Sequence, residues 1–314
     1  MKVLFCGVGD QAAAYGPALE KFSAELGAPF DLFTDAADIA PEDVDVLIAN
    51  PNADVANFGV YSGAKLIQSI WAGMEVFLAN PTLPTAPTLC RMVEPGLTEG
   101  MTEYICGHVL RYHLGVDRQI ADNANREWNA NAPPLARDRK VAVLGLGQLG
   151  MDAAAMLKTL RFDVAGWSRT EKSDLPYPTF SGQNGLRDIL RRSEIIVTIL
   201  PNTAETKHVI NAETLALLPD GATLINPGRG SLIDDDALLA ALDAGKLAHA
   251  TLDVFDAEPL PPDHPFWARP DITITPHIAA ETRTNGAAKV AVEQIRRLQK
   301  GEPLHYIVNR ADGY

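Results

Sequence analysis

Residues 140–158 have the sequence KVAVLGLGQLGMDAAAMLK, in which an apolar segment, a glycine motif and an alanine-rich segment follow one another. The apolar segment Lys140–Leu144 is short and valine-rich, which predicts a buried strand. The alanine-rich segment Met151–Lys158 contains neither glycine nor proline, which predicts a helix. A G-x-G-x-x-G motif between a strand and a helix is typical of dinucleotide-binding turns.

The three glycines of this motif have separate expected roles. Gly145 permits the tight turn, Gly147 lets the backbone approach a pyrophosphate, and Gly150 lets the helix pack closely on the strand. A bound phosphate would meet free N–H groups and the positive end of the helix dipole. The alternative is a glycine-rich turn that binds nothing, and the motifs farther along the chain argue against it.

Composition and charge narrow the class of protein. A chain of 314 residues is long for one core, so two domains are expected. The apolar content of 46% and the charged content of 21% are ordinary for a soluble globular protein. The net charge of −13 argues against a nucleic-acid partner, because phosphates demand a basic face.

Cysteine usage and the N-terminus point to the cytoplasm. Cys6, Cys90 and Cys106 are far apart and form no C-x-x-C pair, so neither a disulfide framework nor a metal site is expected. The segment that starts at Met1 reaches a glycine too soon for a signal peptide. No apolar run reaches transmembrane length, so no membrane partner is expected.

A second glycine motif lies near the N-terminus, at Gly7–Ala12. It follows a predicted strand at 2–7 and has the tolerated form G-x-G-x-x-A. We expect Gly16-Pro17 to interrupt the helix that follows. A plain turn between strand and helix is therefore favoured here over a second cofactor site.

The first hundred residues are predicted to form a small α/β unit. Its further strands are Val44–Ala49 and Ala64–Ile70, and the second one runs into Trp71. The prolines at 81, 84 and 87 suggest a linker. Thr98 then is the predicted N-cap of a helix.

Strands and helices alternate after the central glycine motif, which predicts a doubly wound parallel sheet. The predicted strands are Phe162–Trp167, Glu194–Leu200, Ala222–Asn226, Ala250–Phe255 and Ile272–Thr275, with helices over Asp234–Ala244 and Thr284–Gln299. The last helix is expected to return to the first unit. We predict an α/β protein with two domains: a Rossmann-type dinucleotide-binding domain over 98–284, and a smaller flavodoxin-like substrate domain from 1–97 and 285–314.

Three predicted strand ends are followed by side chains that could take part in catalysis. Arg229 lies between two glycines, and a guanidinium can hold a carboxylate in a bidentate pair. His277 stands at the carboxyl end of the last strand, where it is a candidate general acid. Glu258 is expected to hydrogen-bond the imidazole and fix its tautomer. Together these groups suit hydride transfer from a nicotinamide to a 2-oxo acid, although each one alone could be a structural residue.

The motifs taken together resemble one family. Gly145–Gly150, NPGRG at 226–230, DVFDAEP at 253–259 and TPHIA at 275–279 are similar to the D-isomer-specific 2-hydroxyacid dehydrogenases. Three further stretches are typical of the bacterial glyoxylate/hydroxypyruvate reductases within that family: WSRT at 167–170, LPNT at 200–203 and ADGY at 311–314. The resemblance covers nearly the whole chain.

The resemblance implies a set of site residues. The catalytic set is Arg229, Glu258 and His277, and family members are usually dimers formed through the cofactor domains. The substrate-binding set is Trp71, Ala72, Gly73, Arg229 and His277, with the N–H groups of Ala72 and Gly73 on the substrate carboxylate. The residues expected to contact the cofactor are Gly145, Leu146, Gly147, Gln148, Leu149, Gly150, Ser168, Arg169, Thr170, Lys172, Leu200, Pro201, Thr206, Asn226, Asp253, His277 and Ala279. Among them, Asp253 would contact the nicotinamide amide.

Two positions depart from the family pattern. Trp71 stands where the family usually has glycine, and no tryptophan lies near Asn50, where the branch often has one. The aromatic wall of the substrate pocket is therefore expected to differ. Pro227 is a milder change, because it removes one backbone donor beside Arg229.

The cofactor preference depends on the end of the second strand. An NAD-selective site has Asp or Glu there, on the ribose 2′-hydroxyl. This chain has Ser168, Arg169 and Thr170 instead, followed by Lys172, which suits a 2′-phosphate. We therefore expect NADP(H) to be preferred, with NAD(H) possible.

The resulting prediction is NADPH-dependent reduction of glyoxylate to glycolate and of hydroxypyruvate to D-glycerate, with His277 as the general acid. Two alternatives remain. One is a reductase for another 2-oxo acid such as phenylpyruvate. The other is a non-catalytic module that senses NAD(P).

Overall fold

A computed structural model gives the fold and describes residues 1–310. The family-typical stretch Ala311–Tyr314 lies outside these described residues. Within residues 1–310, no helix combines the length and apolar character needed to cross a membrane. In the same part of the chain, no three His, Cys, Asp or Glu side chains cluster as metal ligands would.

Strands and helices follow one another along the whole described chain. The strands are β1 (Lys2–Cys6), β2 (Asp31–Phe33), β3 (Val46–Ala49), β4 (Leu66–Ser69), β5 (Thr88–Cys90), β6 (Lys140–Leu144), β7 (Asp163–Ser168), β8 (Thr179–Ser181), β9 (Ile195–Thr198), β10 (Ala222–Asn226), β11 (Leu247–Leu252) and β12 (Ile272–Ile274). The helices are α1 (Gln11–Leu26), α2 (Glu75–Ala79), α3 (Pro95–Leu114), α4 (Val116–Asn125), α5 (Gln148–Thr159), α6 (Gly182–Arg192), α7 (Ala212–Ala216), α8 (Asp235–Asp243) and α9 (Thr284–Lys300).

The chain divides into two compact units. One contains Met1–Leu97 together with the chain from Thr282 onward, and the other contains Thr98–Glu281. The sequence-based division has the same first boundary and sets the second one three residues later. The α/β architecture that the sequence predicts is confirmed in both units.

The smaller unit is built on a parallel sheet with the strand order β2-β1-β3-β4-β5. This is the order of flavodoxin-like folds. The middle strand β3 has the sequence VLIA and is fully buried, as continuous apolar runs are in parallel sheets. Helix α9 returns to this unit and packs against α1, where the side-chain amide of Gln299 donates to the carbonyl of Pro29 at 2.7 Å.

The prediction that Gly16-Pro17 interrupts the first helix is wrong. Helix α1 continues from Gln11 to Leu26 with Pro17 inside it. An interior proline costs about 3 kcal/mol. The buried side chains of Leu19 and Phe22 offset this, because each such side chain contributes about 1.5–3 kcal/mol.

The prediction of a linker near residues 81–87 is also wrong. The prolines precede β5, whose residue Thr88 pairs with Leu66 of β4 in parallel register. Strand β5 is the last in the sheet order. Proline is tolerated at such a position, because a neighbouring strand does not need its missing N–H.

The larger unit is built on a parallel sheet with the order β12-β11-β10-β9-β6-β7-β8. Its central strand β6 pairs with β7 on one side and with β9 on the other. The chain therefore builds the sheet outward from β6 in one direction and then in the other. Ligands of such sheets bind outside the carboxyl ends of the strands where this order reverses. In this unit, that place lies beyond β6 and β9.

Several element boundaries differ from the predictions by a few residues, among them those of α3 and β11. Thr98 is not an N-cap, because α3 already begins at Pro95, and the carboxylate of Glu94 accepts the N–H of Gly96 at 2.8 Å. Strand β11 covers Leu247–Leu252 rather than Ala250–Phe255. The chain beyond it turns back, with the N–H of Phe255 bonded to a side chain three residues later.

Candidate active site

The glycine turn between β6 and α5 has the geometry that the motif predicts. Gly145 has a φ of +114°, and a Cβ atom there would overlap the carbonyl oxygen of Ile199. A Cβ atom on Gly150 would overlap the carbonyl oxygen of Gly145. The packing of the protein itself therefore requires glycine at both positions.

Gly147 has a different environment. A Cβ atom there would meet no described atom within 4 Å, and its φ of −78° suits any residue. Gly147 is the N-cap of α5, and none of the described side chains caps that helix end. Its N–H groups and the positive end of its dipole are thus open to an external anion. Open space and free donors at one point fit the pyrophosphate of a dinucleotide.

The residues beside Gly147 in the sequence differ in burial. Leu146 is buried, and its side chain occupies the space that a Cβ atom on Gly166 would take. Gln148 and Leu149 begin helix α5. Leu146 therefore contributes to packing, while Gln148 stands exposed at the helix end.

The end of β7 carries the residues predicted to distinguish the two nicotinamide cofactors. Ser168 is the last residue of this strand, and its hydroxyl donates to the carbonyl of Thr170 at 2.7 Å. The side chains of Arg169 and Lys172 are exposed. The pKa of Glu205 lies below its usual value. The causes are hydrogen bonds from the backbone N–H of Glu205 and from Thr203, together with the charge of Arg169. An exposed cation thus stands where a ribose-binding acid would be in an NAD site.

The turn after β9 is closed by a threonine. The hydroxyl of Thr206 donates to the carbonyl of Pro201 at 2.6 Å and accepts the N–H of Thr203 at 2.9 Å. Leu200 is buried beside it. These residues lie next to the glycine turn, because the N–H of Ile199 bonds to the carbonyl of Leu144 at 2.8 Å. Their predicted contacts with the cofactor stay predictions.

Asn226 organises the turn that presents Arg229. Its side chain is fully buried, donates to the carbonyl of Arg229 at 2.9 Å and accepts from the Thr198 hydroxyl at 2.8 Å. The side-chain oxygen also accepts the N–H of Gly228 at 3.2 Å. The guanidinium of Arg229 donates to the carbonyl of Gly228 at 2.8 Å. Asn226 therefore acts through the backbone, and its predicted cofactor contact stays a prediction.

Glu258 and His277 form a direct pair. One carboxylate oxygen of Glu258 lies 2.7 Å from Nδ1 of His277, and the other accepts the N–H of Phe255 at 2.9 Å. The His277 side chain is 53% exposed. Because Nδ1 is held by the carboxylate, Nε2 is the nitrogen left to exchange a proton with a ligand. The structure thus brings together the acid and the carboxylate that the sequence proposed as partners.

Asp253 has a mainly structural environment. It is fully buried, and its carboxylate accepts the Thr275 hydroxyl at 2.5 Å and the N–H groups of Ile278 and Ala279, both at 2.9 Å. Its backbone carbonyl accepts the N–H of His277 at 2.9 Å. Asp253 therefore ties down the loop that carries the histidine, and contacts of Asp253 and Ala279 with a nicotinamide stay predictions.

In the smaller unit, Ser69 shapes the segment Trp71–Gly73. Its hydroxyl accepts the N–H of Trp71 at 2.9 Å and donates to the carbonyl of the same residue at 3.0 Å. The N–H of Met92 also donates to that carbonyl, at 2.9 Å. Among residues 1–310, no acceptor takes the N–H groups of Ala72 and Gly73. Two adjacent free donors form a suitable site for a carboxylate.

The sequence analysis missed two of these residues. Ser69 and Thr275 each hold a loop through a side-chain hydroxyl. Both stand at the end of a predicted strand, but a hydroxyl at a strand end is too common to indicate such a role. Position next to a chemical motif is the only signal that could have found them.

The sequence profile described as "D-isomer specific 2-hydroxyacid dehydrogenase, NAD binding domain" matches residues 106–279. Among solved structures, a D-isomer specific 2-hydroxyacid dehydrogenase from Xanthobacter autotrophicus Py2, in complex with NADPH and MES, is 35% identical. That match covers 100% of this chain and 99% of the other, with a TM-score of 0.90.

Two further solved structures are similar over their full length. The NADPH-dependent glyoxylate/hydroxypyruvate reductase of Sinorhizobium meliloti, in complex with NADP and sulfate, is 30% identical, with coverage of 100% and 99% and a TM-score of 0.87. A D-isomer specific 2-hydroxyacid dehydrogenase family protein from Klebsiella pneumoniae 342 is 31% identical, with coverage of 99% and 98% and a TM-score of 0.85. On the matched profile and these full-length relatives, the chain belongs to the D-isomer specific 2-hydroxyacid dehydrogenase family.

Proposed function

We propose that this protein reduces small 2-oxo acids with NADPH, converting glyoxylate to glycolate and hydroxypyruvate to D-glycerate. The observation that carries the proposal is the 2.7 Å contact between Glu258 and His277. The pair follows β11 and β12, and Arg229 follows β10, so all three lie at the same edge of one sheet. The glycine turn after β6 shares that edge.

The cofactor fits the larger unit. The glycine turn and the free end of α5 would hold the pyrophosphate, and the bound nicotinamide would supply a hydride to the substrate carbonyl carbon. Arg169 would pair with a 2′-phosphate, assisted by Lys172 and the hydroxyl of Thr170. The Xanthobacter and Sinorhizobium relatives were solved with NADPH and NADP, which supports the same preference here.

The side chains of this protein have distinct roles in the reduction. Arg229 would hold the substrate carboxylate and polarise its carbonyl group. His277 would donate the proton on Nε2 to the carbonyl oxygen as the hydride reaches the carbon, so that the C=O group becomes CH–OH. Glu258 would orient the imidazole and stabilise its charged form. In the smaller unit, the free N–H groups of Ala72 and Gly73 would bind a carboxylate.

The substrate class follows from the resemblance and from one relative. The Sinorhizobium relative is named a glyoxylate/hydroxypyruvate reductase, and its identity of 30% supports the same small 2-oxo acids as candidates. Trp71 adds a bulky side chain to the segment that carries the two free N–H groups. We infer that this bulk favours substrates with small side chains.

The test compares the reduction rates of four 2-oxo acids with each of the two nicotinamide cofactors. NADPH oxidation is measured with glyoxylate, hydroxypyruvate, pyruvate and phenylpyruvate, and each assay is repeated with NADH. The proposal predicts fastest turnover of the first two acids with NADPH. A preference for phenylpyruvate would leave the chemistry and overturn the substrate assignment. No turnover of any 2-oxo acid would favour a cofactor-sensing protein without catalysis.

A further inference from the structure

A chain of hydroxyl groups links helix α3 to the loop of His277. The phenol oxygen of Tyr104 lies 2.7 Å from the hydroxyl of Thr275, and this hydroxyl lies 2.5 Å from a carboxylate oxygen of Asp253. We call Tyr104, Thr275 and Asp253 the hydroxyl chain. It connects residues that are far apart in sequence, and the reaction described above does not use Tyr104 or Thr275.

The hydrogen bonds of the hydroxyl chain run in one direction, from Tyr104 to Thr275 and from Thr275 to Asp253. The carboxylate of Asp253 can only accept, so the single proton of the Thr275 hydroxyl goes to it. The oxygen of Thr275 then accepts from Tyr104. Burial raises the pKa of Tyr104 well above its usual value, so the phenol keeps the proton that it donates.

Asp253 also accepts hydrogen bonds from the backbone of the loop that carries His277. It receives the N–H of Ile278 through its carboxylate and the N–H of His277 through its carbonyl, both at 2.9 Å. His277 has a φ of +57°, in the left-handed region that residues other than glycine rarely adopt without support from their surroundings. The surrounding hydrogen bonds therefore determine where the imidazole points.

We propose that Tyr104 is a positioning residue for the proton transfer, because it orients Thr275 and Asp253 and thereby holds His277 at the angle that meets Glu258 and the substrate. This inference rests on the proposed function, in which His277 donates the proton. It assigns to helix α3 an indirect part in the reaction geometry, through Thr275 and Asp253.

The test compares two tyrosines on the same helix. Tyr104→Phe removes only the hydroxyl of the chain. Tyr112→Phe is the matched control, because Tyr112 makes the same kind of bond, 2.5 Å from its hydroxyl to that of Thr251, but that bond does not lead to Asp253. Thr275→Val removes the middle hydroxyl and Thr275→Ser retains it. For each variant, kcat and KM for NADPH are measured with glyoxylate as substrate, and the melting temperature is recorded.

The inference predicts a specific pattern. Tyr104→Phe should lower kcat roughly 10-fold, because small displacements of a reacting group are costly, while KM for NADPH stays unchanged. Thr275→Val should match or exceed this loss, and Thr275→Ser should restore activity. The double variant Tyr104→Phe/Thr275→Val should be no slower than Thr275→Val alone.

Other results would overturn the inference. A kcat of Tyr104→Phe equal to that of Tyr112→Phe would remove Tyr104 from the reaction geometry. Multiplying effects in the double variant would show that Tyr104 does not act through Thr275. If Tyr104→Phe fails to fold, Thr275→Val still tests the inference, because Tyr104 acts through Thr275: full kcat in Thr275→Val would overturn it. His277→Ala, assayed in parallel, separates the two claims: full activity there would refute the proposed function itself.

Discussion

The proposed chemistry depends on the contact between the carboxylate of Glu258 and the imidazole of His277. Glu258 follows β11 and His277 follows β12, and the two strands are neighbours in parallel register. Their carboxyl ends therefore meet, and the two side chains reach each other at 2.7 Å. The nitrogen that is not bonded to Glu258 is free to act as a general acid.

Replacement of Glu258 by Gln should slow reduction. A neutral amide still accepts a hydrogen bond from Nδ1, but it places no negative charge beside the imidazole. We expect kcat for NADPH oxidation to fall roughly 10- to 100-fold, because proton transfer by His277 loses its partner. Steady-state rates with glyoxylate measure the effect. An unchanged kcat would show that the carboxylate has no part in proton transfer.

Gly147 and Gly150 provide a second test at the scale of single residues. Gly147→Ala places a methyl group in open space, so the protein should keep its stability and lose roughly tenfold in NADPH affinity, which is about 1.4 kcal/mol. Gly150→Ala would clash with the carbonyl of Gly145 and should lower the free energy of unfolding by about 1–3 kcal/mol or more.

Thermal unfolding and NADPH fluorescence titration measure the two quantities. Full NADPH affinity in Gly147→Ala would mean that no pyrophosphate lies at the start of α5. A fully stable Gly150→Ala variant would contradict the close packing of this turn.

Single residues differ in how well the sequence predicts their roles. Arg229, Glu258 and His277 have charged or titratable side chains and follow apolar strands, so position and chemistry together predict roles for them. Ser69 and Thr275 are common residue types whose importance comes from hydroxyl contacts with other loops. Such contacts depend on three-dimensional geometry that no local pattern contains.

At the scale of elements, the strand ends of the larger sheet determine what the unit can bind. The order of strands reverses at β6, and the turns after β6 and β9 lie side by side. The end of β7 adjoins them and carries Arg169. A parallel sheet thus brings residues that are far apart along the chain to one edge.

We propose that the end of β7 determines the cofactor preference. Arg169→Asp should raise KM for NADPH roughly 10- to 100-fold, since a charge-assisted contact with the 2′-phosphate is lost. KM for NADH should change little or fall. Arg137→Asp is the control, because this exposed arginine precedes β6 at the opposite edge of the sheet and carries the same change in charge. An unchanged ratio of the two KM values in Arg169→Asp would contradict the assignment.

Two of the strands that escaped prediction are very short, and the start of one helix depends on a cap. Strands β5 and β8 have three residues each, too few to show a period or a continuous apolar run. The start of α3 depends on Glu94, whose carboxylate caps the helix earlier than Thr98 would. The long strands of both sheets were predictable, because their apolar runs reflect burial on both faces.

At the scale of the whole molecule, buried thiols report on the integrity of the fold. Cys6, Cys90 and Cys106 are buried and unpaired. Burial raises the pKa of Cys6 and of Cys106 to about 11 and that of Cys90 to about 12. The thiolate is the reactive form, so at pH 8 all three groups should be protonated and inert.

We expect a disulfide reagent such as dithionitrobenzoate to label none of the three cysteines in the native protein within minutes at pH 8. In guanidinium chloride, all three should react. Absorbance at 412 nm counts the released thiolate. Rapid labelling of one thiol in the native protein would show that its part of the fold opens readily.

The central claim is that His277 donates the proton in an NADPH-dependent reduction. The most direct measurement compares NADPH oxidation with glyoxylate by the unmodified protein and by His277→Ala, with NADPH affinity determined for both. We expect His277→Ala to bind NADPH normally and to turn over roughly 10²- to 10⁴-fold more slowly, the range that a general acid contributes. Full turnover by His277→Ala would show that His277 does not donate the proton.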